Sequence, residues 1–227
     1  MDCQAAARAT PARSAASEAQ RAALLARDDR SLRDPGPLSP GQDAAGLCFR
    51  AARSSDAHAI ASLHADSWQR QYRGAYADAF LDHGAAGFLQ RLWTGRLASP
   101  DPLARTIIAE RDGEVAGLAH TILDHDAAWG AFIDNLHVAH WLKRHGVGTR
   151  LLTLTARATL DWSPSSGLYL WVLEQNRDAR AFYAARGGAC REREDVPPPG
   201  GDAARLNGKP MGLRYAWPDP SKLLRHQ

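Results

Sequence analysis

The amino-acid sequence predicts an α/β fold in which helices pack over a mixed sheet. Three observations point there. Strand-like runs follow one another without a helix between them across residues 104 to 138, and a tight Asp112-Gly113 turn joins the first two. Segments with apolar residues at helical spacing flank that run on both sides. The later part alternates helix and strand. A fully parallel, doubly wound sheet would need a helix between every pair of strands, so the dinucleotide-binding architecture is disfavoured.

Each element has its own signal. Of the 227 residues, 1 to about 45 are Ala, Arg, Ser and Pro with few large apolar side chains. They read as an extension ending in a Pro/Gly linker, "RDPGPLSPGQDAAG". The organised domain is expected over 46 to 220, followed by a short tail, 221 to 227. "LCFRAAR" reads as a strand. A helix follows, with Ser54 or Ser55 as cap and Ile60, Leu63, His64 and Trp68 on one face. A second helical segment covers 76 to 96, carrying Phe80, Leu81, Phe88, Leu89, Leu92 and Trp93. The hairpin "ARTIIAERDGEVAGLAHTIL" and the strand "AFIDNLHV" come next. A helix is expected over 148 to 162, then the buried-type strand "LYLWVL". "NRDARAFYAARG" reads as a helix capped by Asn176 and stopped at Gly187, and one or two more strands follow, 210 to 217 being the clearer.

Composition narrows the function. A net charge of +3 is too small to suggest nucleic-acid binding. Cys3, Cys48 and Cys190 are far apart and form no CxxC pair, which fits neither a disulfide framework nor a zinc knuckle. A reducing, cytoplasmic setting fits them best. No apolar run approaches the ~20 residues that span a bilayer. The expected partner is therefore a small anionic ligand, with neither nucleic acid nor membrane.

The most informative stretch is "HVAHWLKRHGVGTRLL". A strand runs into a basic segment, then Gly-Val-Gly, then an apolar-periodic helix. Unpaired N–H groups at a helix N-terminus and the positive end of its dipole bind anions, and glycine lets a phosphate come close. The segment is not a Walker loop, which ends Gly-Lys-Ser/Thr, and Leu151 stands where a dinucleotide loop has its third glycine. From the glycines alone, close helix packing and phosphate binding both remain open.

The neighbours resemble the GNAT superfamily of acyl-CoA-dependent N-acyltransferases. Its signature, Arg/Gln-x-x-Gly-x-Gly/Ala, stands here as Lys143-Arg144-His145-Gly146-Val147-Gly148, followed by Thr149. Lys143 keeps the charge of the usual Arg without its fork. Twenty-eight residues beyond Gly148, "NRDARAFYAARG" resembles the family's second motif at Asn176, Ala179, Phe182, Tyr183 and Gly187. Gly188 stands where that family usually has Phe. The resemblance covers roughly 47 to 217, and its N-terminal part includes Trp68 before Ala75-Tyr76.

The resemblance implies a central, mostly antiparallel sheet of about six to seven strands with helices on both faces. It also implies acetyl-CoA as cosubstrate, no metal, and direct attack by a primary amine of a small molecule or a peptide N-terminus. The cofactor would be held by Lys143 to Thr149 and by Asn176 on the pantetheine arm. Backbone N–H groups around Leu136, His137 and Val138 would hold the oxyanion. Tyr183 would hydrogen-bond the departing sulfur, as a phenol of pKa ~10 can. Homodimers are common in the family. For the base that accepts the amine's proton, Asp134 comes first, then His137, then Glu174. Plain alternation places Phe132, Asp134 and Leu136 on one face and His137 on the other unless a bulge intervenes. His137, His140 and His145 read as polar residues on the phosphate side rather than metal ligands. Trp68, Tyr72 and Tyr76 are candidates for the acceptor pocket, with core packing the favoured reading of Trp68. A non-catalytic acyl-CoA-binding module on the same fold is the alternative function.

Overall fold

The computed structural model describes residues 46–225. The extension expected over 1 to 45 lies outside the described residues. Seven strands form one sheet: β1 Leu47–Ala51, β2 Ala104–Arg111, β3 Glu114–Asp126, β4 Gly130–Val138, β5 Leu168–Leu173, β6 Ala189–Asp195 and β7 Met211–Trp217. Five helices accompany it: α1 Ala57–Gln71, α2 Asp78–His83, α3 Ala85–Ala98, α4 Val147–Trp162 and α5 Arg177–Ala185. The spatial order is β1-β2-β3-β4-β5-β7-β6, antiparallel except where β4 meets β5.

Strand alternation decides which helix covers which face. Ile108 and Leu118, opposite each other on β2 and β3, pack with Ile60, Leu81, Leu89 and Trp93 of the first three helices. The adjacent pair Ile107 and Ala119 points the other way, against Val147 and Leu151 of α4. α4 buries Val147, Leu151, Leu152, Thr155, Ala156 and Thr159, one stripe of an amphipathic helix. Each fully buried leucine here contributes about 1.5–3 kcal/mol relative to exposure. The Asp112-Gly113 turn has both residues at positive φ, 53° and 82°, the conformation a two-residue hairpin requires.

Three local expectations change. Ser54 and Ser55 do not cap α1; they lie in a 3-10 turn, and Asp56 is the residue before the helix. The Asp56 carboxylate instead accepts from the Arg53 N–H at 2.6 Å and pairs with Arg50 at 2.7 Å. The segment 76 to 96 is two helices, broken at Gly84. Residues 220 to 225 are not a free tail: Leu223 is buried against the α4 side of the core, and its carbonyl accepts from the Thr153 hydroxyl. β6 adds a strand at the sheet edge, where its charged "RERED" tail blunts further pairing.

The parallel seam matters most for function. β4 and β5 pair over Ala131–Ile133 and Leu168–Leu170. Beyond that the two strands continue without pairing. A bulge in β4 marks the point of departure: Ile133 faces Thr121 but Asn135 faces His120, leaving Asp134 as the extra residue. Such a bulge bends its strand and ends regular pairing.

Candidate active site

The gap between the tails of β4 and β5 opens into a cleft of about 500 Å³. Residues 133 to 138 of β4 and 170 to 172 of β5 form its walls. Its two ends differ in chemistry. One end holds the start of α4 and one face of α5; the other holds the last turn of α1.

At the first end the backbone presents uncapped N–H groups to the cleft. Gly146 precedes α4 at φ +80°, a conformation side chains rarely adopt, and Arg144 stands at φ +66° two residues earlier. The first helical bond runs from the Arg150 N–H to the Gly146 carbonyl. The N–H groups of Val147, Gly148 and Thr149 therefore precede the ladder, and no side chain caps them. The two glycines serve different needs. Open space surrounds a Cβ built on Gly146, so its role is conformational, whereas one on Gly148 would sit 3.4 Å from Phe182 of α5. Gly148 thus lies beside Phe182 with room for no more than ordinary contact. Lys143, Arg144, Gly146, Gly148 and Thr149 line the cleft. Val147 is buried beneath it, and His145 turns back onto its own loop, Nδ1 lying 2.8 Å from the Lys143 carbonyl.

Asn176 caps α5, its Oδ1 accepting from the Ala179 N–H at 3.2 Å, while its Nδ2 donates to Gln71 at the end of α1. Two turns on, Tyr183 lines the cleft at 7% exposure, its ring against Phe182, Tyr215 and Trp217. Burial holds its phenol well above the ordinary range, and the neighbouring Tyr72 adds to that. A Cβ on Gly188 would lie 2.6 Å from the Trp217 ring. Trp217 therefore fills the place beneath Tyr183 and excludes a side chain at 188, which accounts for the departure from the Phe expected there.

The bulge corrects the alternation. Asp134, Asn135 and His137 all face the α1/α3 side, and Leu136 and Val138 face α4. Arg96 of α3 fixes the bulge, 2.7 Å from Asp134 and 3.0 Å from the Asn135 Oδ1, with its guanidinium over Trp93. The Ala139 N–H donates to the Ala116 carbonyl. In an antiparallel ladder every second residue bonds the same neighbour, so Leu136 and Val138 turn their N–H and C=O groups to the unpaired side, toward the cleft.

His137 Nδ1 lies 2.8 Å from the Ser67 hydroxyl, and its ring 4.3 Å from that of His64. Burial depresses the pKa of His137 to about 4, against the pull of Asp134, so the ring is neutral at neutral pH. His64, almost fully buried, is pushed well below its ordinary value for the same reason. Tyr72 lines the cleft and has its pKa raised to about 12, first by burial and then by the charge of Asp134. Trp68 and Tyr76 belong to the core with Phe80 and Phe88 and do not line the cleft. Glu174 is likewise outside it, exposed and held by Arg193 at 2.8 Å. His137, His140 and His145 do not converge: no group of three metal-ligating side chains occurs among the described residues.

Sequence reasoning missed Ser67, Gln71, Asn135, Trp171 and Arg186, all lining the cleft, and Arg96 behind it. The first four carry no local pattern, and Arg186 was hidden among many arginines.

Comparison with known proteins decides the family. Residues 57–188 match the family described as "Acetyltransferase (GNAT) family". The chain belongs to the GNAT acetyltransferases. Among GNAT relatives, "Probable N-acetyltransferase Rv2775" of Mycobacterium tuberculosis is 33% identical over 141 residues, covering 60% of this chain and 75% of that protein. The PaiA N-acetyltransferase of Thermoplasma acidophilum, solved in complex with coenzyme A, shares the fold at TM-score 0.57 and 16% identity, over 75% of this chain and 99% of that one. Arabidopsis thaliana NAA60, solved with a bisubstrate analogue, superposes at TM-score 0.54 and 15% identity, over 75% and 97%. The mixed seven-stranded sheet is thus the GNAT sheet. No helix among the described residues is long and apolar enough to cross a membrane.

Proposed function

We propose that this GNAT enzyme moves the acetyl group of acetyl-CoA to a primary amine, carried by a small molecule or a peptide N-terminus, by direct attack in a ternary complex. The observation that carries this reading is the meeting, in one cleft, of the uncapped N-terminus of α4, the unpaired tail of β4 and the Tyr183 phenol. The donor set suits a diphosphate: three backbone N–H groups at a positive helix end, with Lys143 and Arg144 beside them. Acetyl-CoA supplies the thioester carbon that the amine attacks.

The chain's own residues do the rest. Leu136 and Val138 offer N–H groups to the oxygen on which charge develops, already oriented and needing no reorganisation. Tyr183 keeps its proton across the whole working pH range, because burial raises its pKa. It therefore serves the leaving sulfur as a hydrogen-bond donor. An alkyl ammonium of pKa ~10.4 must lose a proton before attack. Asp134, held by Arg96 and within electrostatic reach of Tyr72, receives the ammonium and accepts that proton directly or through a water. His137 positions the β4 tail through Ser67. Tyr72 and Trp171 give the amine's carrier an aromatic wall.

The test is release of free thiol from acetyl-CoA in the presence of amino acids, polyamines, aminoglycosides and short peptides in turn. Turnover with at least one class is expected; no thiol release with any primary amine contradicts the reading.

A further inference from the structure

Arg186 lies between Tyr183 and Gly187 without belonging to either family motif, and it lines the same cleft. Its guanidinium turns back over the Phe182 ring, 5.4 Å away, to the first turn of α4. There Nε and Nη2 both donate to the Thr149 hydroxyl, at 3.2 and 2.9 Å. A neutral oxygen is a poor partner for a guanidinium, whose fork matches carboxylate and phosphate. Among the described residues no carboxylate lies within ion-pair distance of Arg186, although Asp178 lines the same cleft. Lys143 and Arg144 line that cleft as well, and the positive end of the α4 dipole adds to them. Gathering cations at a helix N-terminus is unfavourable in the absence of an anion. The root of the side chain is also fixed. The Trp217 indole donates to the Arg186 carbonyl at 2.8 Å, and Gly187 turns the chain at φ +77° immediately after.

We infer that Arg186 is a cofactor-binding residue: its guanidinium takes a phosphate group of CoA, sharing or exchanging the Thr149 hydroxyl for phosphate oxygens. This rests on the CoA reading above and assigns the third positive side chain of the grip. The chemistry recognised is a phosphate, supplied either by the diphosphate bridge or by the ribose phosphate. A forked contact of this kind, with its charge-assisted hydrogen bonds, is expected to matter roughly 10- to 100-fold in affinity.

The experiment is calorimetric titration of the full chain and of Arg186→Ala and Arg186→Lys with CoA and 3′-dephospho-CoA, beside thermal melts of each protein without ligand. Arg186→Ala should bind CoA about 10- to 100-fold more weakly, with Arg186→Lys in between because it loses the fork. The ligand-free melting temperature should stay within about 2 °C, since the position gives up an unpaired cation along with its packing. A loss that persists with 3′-dephospho-CoA assigns the contact to the diphosphate, and one that disappears assigns it to the ribose phosphate; both support the inference. Arg186→Ala binding CoA within about twofold of the parent overturns it while leaving the CoA reading intact, as does a destabilised variant of unchanged affinity. If the parent chain itself binds no CoA, the underlying reading fails and this inference with it.

Discussion

The two ends of the cleft are built on different principles. The proposed cofactor end is mostly backbone: a left-handed glycine, a helix N-terminus without a cap, and unpaired N–H groups on β4. The proposed acceptor end is a set of side chains that already hold one another, Asp134 and Asn135 with Arg96 and His137 with Ser67. A backbone site recognises what every acyl-CoA shares. A side-chain site can change its preference residue by residue, which is why the same fold accommodates many amines.

The sharpest way to break this contrast is at the point where the ends meet. Tyr183→Phe would remove the proposed hydrogen bond to the leaving sulfur while keeping the ring against Tyr215 and Trp217. Turnover should fall by roughly 10- to 10,000-fold with CoA affinity little changed. Equal turnover would make Tyr183 a packing residue. Asp134→Asn tests the acceptor end and should lower kcat by about 100-fold. Its CoA affinity, measured by calorimetry, should stay near that of the parent, because Asp134 lies outside the proposed grip; a parallel loss of CoA binding would show that the two ends are not separable.

The smallest effect concerns stability. His64, His120 and His137 all sit on the acceptor side, and burial depresses the pKa of each, to about 4 for His120 and His137. Unfolded histidines take protons near pH 6.5. Between those values the unfolded chain binds more protons than the folded one, so stability is full above pH 6.5 and is lost as pH falls toward 4. Melting curves from pH 7 to pH 5 should drop by at least a few degrees. A flat profile would mean that these rings are not held neutral by burial.

The sequence made the family motifs at the proposed cofactor end legible because their signals are local. The order of strand, basic turn, Gly-Val-Gly and helix lies within one stretch, and Asn176 and Tyr183 are fixed by helical spacing. The hairpin at Asp112-Gly113 was equally readable. The acceptor end was not, because its determinants are contacts across long separations. Nothing in "AFIDNLHV" marks Asp134 as a bulge, yet that one residue turns His137 to the face of Asp134 and sends Leu136 away. Arg96 reaches β4 from a helix 38 residues earlier than Asp134. Gly188 looked like an irregular motif member until Trp217, from the last strand, proved to fill its space. Tyr76 shows the opposite error: an aromatic residue at pocket-like spacing became core, beside Trp68, once α2 and α3 closed over it.

The central claim is that the gap between β4 and β5, closed by the start of α4, is a CoA site. Calorimetric titration of CoA into the full chain tests it most directly. The account predicts one CoA bound per chain, with affinity that weakens as salt rises because cations hold its phosphates. No heat of binding at millimolar CoA, in low salt, would contradict it.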